Sequence, residues 1–149
     1  MNNIELIKEL RDATGFSFNE IKKALEEAGG DKVRALEILK AHGAEIAEKK
    51  SSRTTNEGVI ESYIHSNKKV GSIVSLYCET DFVARNPQFI QLAHDVAMQV
   101  ASMKPKDLKE LLGQPFIKDQ DITIQELINQ HIAKLGENIK VGGFSRMEI

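Results

Sequence analysis

At Glu57 the spacing of apolar residues changes from three-and-four to two, and this break limits the possible folds more than any other feature of the chain. Ahead of it run stripes of helical period. Behind it stand two alternating runs, Val59–Ile64 and Val70–Cys78, around the polar turn Ser66-Asn67-Lys68-Lys69. Neither an all-helical nor an all-strand fold satisfies both patterns. With 149 residues, the chain has room for a small module and a modest core.

The first part reads as three short helices. Ile4, Ile7 and Leu10 repeat every three residues, with Leu6 beside them and Ala13 further on, and Thr14-Gly15 ends the stripe. Ser17-Phe18-Asn19-Glu20 has capping-box spacing and opens a second helix with Phe18, Ile21, Leu25 and Ala28 on its inner face. Gly29-Gly30 stops it, Asp31 caps the third, and Val33, Ala35, Leu36 and Leu39 face inward before Gly43 closes. This predicts a bundle of the ubiquitin-associated type over 1–43. Its core is thin, and it is marginally stable alone. Lys22-Lys23 lies exposed beside the apolar face; by residue type alone it reads as a solvated flank. Residues 44–56 turn Ser/Thr-rich and carry Lys49, Lys50 and Arg53. They read as a frayed helix leading into a flexible, solvated linker.

Residues 57–149 read as an α+β unit, so the whole chain is α+β: the helical module, then a small antiparallel sheet packed against helices. In the hairpin, Val59, Glu61, Tyr63 and His65 face one way along the first run, and Val70, Ser72, Val74, Leu76 and Cys78 line one side of the second. Asn86-Pro87 starts a helix, because Asn caps and Pro has the right φ at the first position. Phe89, Leu92, Ala93, Val96, Val100 and Met103 then cover the hairpin, while His94 and Gln99 fall off the stripe and read as solvated. Gly113-Gln114-Pro115-Phe116 is a break. Thr123-x-x-Glu126 caps a last helix that Gly136 closes, and residues 138–149 return as a third strand. Gly142-Gly143 within it predicts a bulge or a close approach.

Between hairpin and covering helix lies Cys78-Glu79-Thr80-Asp81-Phe82-Val83-Ala84-Arg85-Asn86. A connection of this kind is normally polar and runs over the surface. Phe82 is therefore either a staple against the next helix or a side chain offered to a partner; spacing leaves both open.

Bulk charge excludes one class of function. With 20 Lys+Arg against 22 Asp+Glu, nothing points to a nucleic-acid binder driven by electrostatics. A lone Cys78 cannot form an internal disulfide, the start lacks a basic-then-apolar leader pattern, and no run approaches membrane-spanning length. The expectation is a cytoplasmic protein without membrane contact. Cys78 and His65 could be a nucleophile and base, but no orienting group accompanies them, and Cys78 shares a row with Val74 and Leu76. His42, His94 and His131 lack metal-ligand spacing. Gly29-Gly30 lacks the Lys-Ser/Thr ending of a phosphate loop. Neither metal nor cofactor is expected, and the chain is not read as an enzyme.

The order of the pieces resembles a family. Leu6-Ile7-Lys8-Glu9-Leu10-Arg11-x-x-Thr14-Gly15, Lys22-Lys23-Ala24-Leu25-Glu26-Glu27-Ala28, Tyr63-Ile64-His65, the corner Cys78–Asn86, Gln114-Pro115-Phe116 and Lys134-Leu135-Gly136-Glu137-Asn138-Ile139 together resemble bacterial elongation factor Ts. The resemblance covers nearly the whole chain. It is to a short form, without the second core half and without the long helical hairpin that most members carry before Gln-Pro-Phe. Gly142-Gly143 stands where many members have paired arginines. The resemblance implies a guanine-nucleotide exchange factor for elongation factor Tu, binding its GDP-bound and nucleotide-free states, with no direct nucleic-acid contact. It implies that Thr80, Asp81, Phe82 and Val83 enter the partner and disturb its magnesium site, and that Lys22 supports docking. The alternative is a docking or adaptor protein of the same family with reduced or lost exchange. For self-association, a monomer and a weak homodimer both stay open.

Overall fold

The structure, a computed structural model, describes residues 3–149. Helices α1 (Asn3–Thr14), α2 (Phe18–Glu27) and α3 (Lys32–Lys50) come first. Strands β1 (Glu57–Ile64) and β2 (Val70–Cys78) follow, then the short α4 (Asp81–Ala84), α5 (Pro87–Met103) and α6 (Leu108–Gly113). Strands β3 (Pro115–Phe116) and β4 (Asp119–Thr123), helix α7 (Ile124–Leu135) and strand β5 (Lys140–Glu148) complete the chain. The α+β class expected from the change of period is what forms.

The module's helices start where their caps are. Ser17 and Glu20 make both halves of a capping box, and the Asp31 carboxylate accepts from Val33 N–H and Arg34 N–H. Leu6, Ile7, Leu10, Phe16, Ile21, Ala24, Leu25, Ala28, Ala35 and Leu39 form one apolar cluster. The expected inner faces need correction at their first apolar residues. Ile4, Phe18 and Val33 are 74%, 46% and 67% exposed. Ala13 is also exposed, and Leu36 is half-buried. Ile4, Phe18 and Val33 lie on the sides of their first turns away from the cluster, while Leu6, Ile21 and Ala35 in the same turns are buried in it.

Gly43 does not close α3. The helix runs through it to Lys50, because Gly43 is buried where α3 packs on α7, near the Phe16 ring and Asn129. Burial against a second helix overrides the weak helix preference of a single glycine. The far half of α3 places Ile46 and Ala47 against the second apolar cluster. Beyond it the chain is tied as well, since Asn138 Nδ2 donates to the carbonyls of Ser51 and Arg53 at 3.4 and 2.9 Å. The expected frayed, flexible joint is therefore a helix and a tethered turn.

The main sheet has the order β1-β2-β5, all antiparallel. Its inner face carries Val74, Leu76, Cys78 and Val141, with Val59, Tyr63 and Phe144 at the margins. α5 covers it with Phe89, Leu92, Ala93, Val96 and Val100, all at 0% exposure. Asn86 caps α5 through Gln88 N–H, and Pro87 takes the first turn. Met103 is 46% exposed, because the stripe outruns the sheet. The register slips between Val74 and Leu76 opposite β5, which is the expected bulge at Gly142-Gly143. There the Ser75 hydroxyl accepts from Gly143 N–H at 2.8 Å. A side chain at Gly142 would collide with the Tyr77 ring, 2.2 Å from a would-be Cβ. The outer face is unusually apolar, with Ile60, Ile64, Ile73, Tyr77 and Met147 exposed.

Two features were not foreseen. β3 and β4 form a small hairpin across what reads in sequence as a break. Gln99, expected in solvent, is 0% exposed. Its Nε2 donates to Gln114 Oε1 and to the Pro115 carbonyl at 3.2 and 3.0 Å, and its Oε1 accepts from Ile117 N–H at 3.0 Å. One buried amide thus pins the hairpin to α5, which offsets the cost of burying it. His94 stays partly exposed, edge-on to Tyr63 with ring centroids 5.8 Å apart. Thr123 caps α7 with Glu126 in a second capping box, and Gly136 closes it at φ 78°. No helix among the described residues is long and apolar enough to cross a membrane.

Candidate functional site

The corner after β2 is a single turn of helix with a sorted surface. Thr80 is its cap: the backbone is extended, and the hydroxyl oxygen accepts from Val83 N–H at 3.3 Å. Val83 is half-buried against the core and Ala84 is buried. Asp81 and Phe82 point the other way, and Phe82 is 77% exposed. Of the two options open in the sequence, the staple is absent and the ring is presented.

Arg85 organises what is displayed. Its guanidinium donates to Asp81 Oδ2 at 3.0 Å and stands 5.8 Å from the centre of the Phe82 ring. Both charged groups are well exposed, so the pair adds little stability; its effect is to group an acid, a cation and an aromatic ring on one small knob. Lys22, the expected docking contact of the helical module, is exposed on α2, apart from the corner.

Behind the knob the bonding is long-range. Glu79 N–H and Thr80 N–H donate to Glu137 Oε1 at 3.1 and 3.0 Å, and the Thr80 hydroxyl donates to Glu137 Oε2 at 2.7 Å. In return, Asn138 N–H donates to Glu79 Oε2 at 2.9 Å, with the Arg53 guanidinium 3.6 Å from the same oxygen. Sequence reasoning missed Glu79, Arg85 and Glu137 as part of the site. The one signal for Glu137 is an acid directly after a helix-closing glycine, with no local group for it to serve.

Cys78 is fully buried and its thiol donates to the Thr80 carbonyl, Sγ to O 3.2 Å. Burial, with the Glu137 carboxylate next, pushes its pKa up to about 11, so at neutral pH it is a neutral thiol and a poor nucleophile. His65 is bonded to the Tyr63 hydroxyl at 3.1 Å, not to Cys78. Among the described residues no group of three or more His, Cys, Asp or Glu could hold a metal ion. The chemistry on offer is contact: an exposed ring and charges held on a stiff rim.

Comparison with known proteins shows the family. The family model described as elongation factor TS matches residues 79–149, which begins at the corner. The chain is 40% identical to elongation factor Ts of Thermotoga petrophila over 190 aligned positions, covering 99% of this chain and 96% of the relative. It is 40% identical to elongation factor Ts of Synechococcus sp. JA-3-3Ab, covering 95% of this chain and 67% of the relative. For the Carboxydothermus hydrogenoformans protein of the same name, identity is 38%, with 97% and 88% covered. The fold and these likenesses place the chain among translation elongation factors. More narrowly, it belongs to the elongation factor Ts family.

It is a short member. The 190 aligned positions exceed its 149 residues, so the Thermotoga relative carries residues within the aligned span that this chain lacks. Here α5 and α6 are joined by Lys104–Asp107 alone, with Lys104 turning the chain in the left-handed conformation at φ 49°.

Proposed function

We propose that this protein is a guanine-nucleotide exchange factor for elongation factor Tu. The observation that carries the reading is Phe82, a large apolar ring 77% exposed on a corner where Thr80 is bonded to Glu137 and Val83 and Ala84 face the core. A single exposed apolar residue is ordinary on a surface; what supports the reading is that this ring stands with Asp81 and Arg85 on the corner at which the family match begins. The ring enters the partner's nucleotide domain and displaces the elements that carry its magnesium ligands. A guanine nucleotide on such a partner is held largely through that metal, so its grip weakens. Asp81 and Arg85 travel with the ring and meet the polar rim of the contact, and Val83 and Thr80 hold it in place. Lys22 supports docking of the helical module. The chain's own residues make and break no covalent bond.

The coupling is reciprocal. A factor that loosens nucleotide is itself loosened by nucleotide in the same ratio, so it binds the GDP-bound and nucleotide-free partner and leaves when GTP refills the site. Burying one Phe side chain supplies roughly 1.5–3 kcal/mol, about one to two decades of coupling at ~1.4 kcal/mol per tenfold. The apolar outer face of the sheet supports a weak homodimer over a monomer.

The test is stopped-flow release of labelled GDP from elongation factor Tu. Wild-type protein should accelerate release, and Phe82→Ala should slow the stimulated release about ten- to a hundredfold with its fold intact. Unchanged stimulated release in Phe82→Ala refutes the wedge. A wild-type protein that binds without accelerating release is the adaptor of the alternative reading.

A further inference from the structure

The corner's local bonds, from Ala84 and Arg85 N–H back to Thr80 and Asp81, are joined by long-range ones. α4 is a helix of 4 residues, well short of the length at which helices persist unaided. Its cap depends on a hydroxyl with one proton to give. That proton goes to Glu137, at 2.7 Å, which leaves the Thr80 lone pairs free to accept from Val83 N–H. Two more donors, Glu79 N–H and Thr80 N–H, end on the same carboxylate. Glu137 thus satisfies three donors on the segment entering α4 and orients a fourth.

We propose that Glu137 is the positioning residue of the exchange loop: its carboxylate, braced by the reciprocal Glu79–Asn138 bond, sets the angle at which Phe82 is presented. This rests on the exchange reading above and adds a residue that touches neither partner nor nucleotide. The brace also reaches the end of α3, because Asn138 Nδ2 holds the carbonyls of Ser51 and Arg53, and Arg53 faces Glu79. The residues that follow α3 and the loop's support are thus tied together at Asn138 and Glu79. Among the residue types available, a carboxylate suits this place because both oxygens accept. An amide in its position turns its NH2 either toward the Thr80 hydroxyl, whose proton then loses its acceptor, or toward the Glu79 and Thr80 N–H groups, which then lose theirs.

Glu137→Gln and Glu137→Ala are compared with wild type and with Phe82→Ala in the same GDP-release assay, alongside amide hydrogen exchange by NMR. Glu137→Ala should lower the saturating release rate about tenfold or more, with the half-saturating concentration changed less than about threefold. Combined with Phe82→Ala it should add almost nothing, because both changes remove the same wedge. In Glu137→Gln the amides of Glu79, Thr80 and Val83 should exchange about tenfold faster or more, while those of α5 keep wild-type protection. If Glu137→Ala fails to fold, Glu137→Gln carries the kinetic comparison. Wild-type release in both variants overturns the proposal. So does an effect fully additive with Phe82→Ala, which marks a general structural role. Should Phe82→Ala itself release GDP like wild type, the exchange reading falls. The clasp is then decided by hydrogen exchange alone, and unchanged Glu79, Thr80 and Val83 amides overturn it.

Discussion

The helical module leaves the leading apolar residue of each helix in solvent, whereas the sheet-bearing core buries that of α5. Ile4, Phe18 and Val33 open α1, α2 and α3 and stay 74%, 46% and 67% exposed, while Phe89 opens α5 at 0%. The difference is one of cover. A bundle this small covers one side of each helix: its first turns bury Leu6, Ile21 and Ala35 and leave Ile4, Phe18 and Val33 on the uncovered side. α5 starts under the bend between β2 and α4, where Ala84 and Cys78 already form a buried floor. One region is thin and one-sided; the other is layered. What joins them is α3, whose first half packs in the module through Ala35 and Leu39 and whose second half touches the core through Ile46 and Ala47. The lesson is that a module too slight to stand firmly alone is stabilised by lending one helix to its neighbour.

The largest effect should come from the core. Phe89→Ala should cost about 3–5 kcal/mol and Ile21→Val in the module about 0.5–1.5 kcal/mol. Because α3 is shared, both should shift one and the same urea transition, followed by far-UV circular dichroism and by a probe in each region. Two separate transitions would break the comparison and make the regions independent. Next comes Gln99→Met, which keeps the bulk but leaves Ile117 N–H without its acceptor. A loss of about 1–3 kcal/mol is expected, with the amides of β3 and β4 exchanging faster than those of the β1–β2 hairpin. Equal protection in both hairpins would mean that Gln99 is not the pin.

The smallest effect tests the seam between the regions. His131 on α7 lines a cleft with Arg11, Asp12 and Lys134, against the end of α1. Burial, with Lys134 nearby, holds its pKa below the usual histidine value, against the bond to the Leu127 carbonyl that favours the proton. The unfolded chain therefore takes up a proton before the folded one does. Stability should be unaffected by this group above about pH 6.5 and fall as pH drops below it, toward the lower folded value. His131→Gln should flatten that part of the urea-midpoint profile between pH 7 and pH 5. A profile that keeps its slope assigns the pH dependence to other groups.

Much of this was legible without coordinates, but unevenly. The caps at Ser17, Asp31, Asn86 and Thr123 and the stop at Gly136 are where the residue types place them. The inner face of β2 follows its alternation down to Cys78. Gln99 was misplaced because a polar residue beside an apolar stripe looks solvated, and its partners lie 15 to 18 residues away. The corner was legible as unusual, through an aromatic in a polar turn. The direction of its side chains was not.

What the sequence determines by itself is whatever acts within a turn of backbone: where helices start and stop, which strand residues share a face, and that a helical stretch precedes one that contains strands. Hydrogen bonds between neighbours three or four positions apart carry those signals. Only the tertiary structure decided that α3 runs past Gly43, that Gln99 is buried, and that Phe82 stands in solvent. It also joined Glu137 to a backbone 57 and 58 residues away. Such contacts depend on which surfaces meet once the layers pack, and no local pattern encodes that meeting.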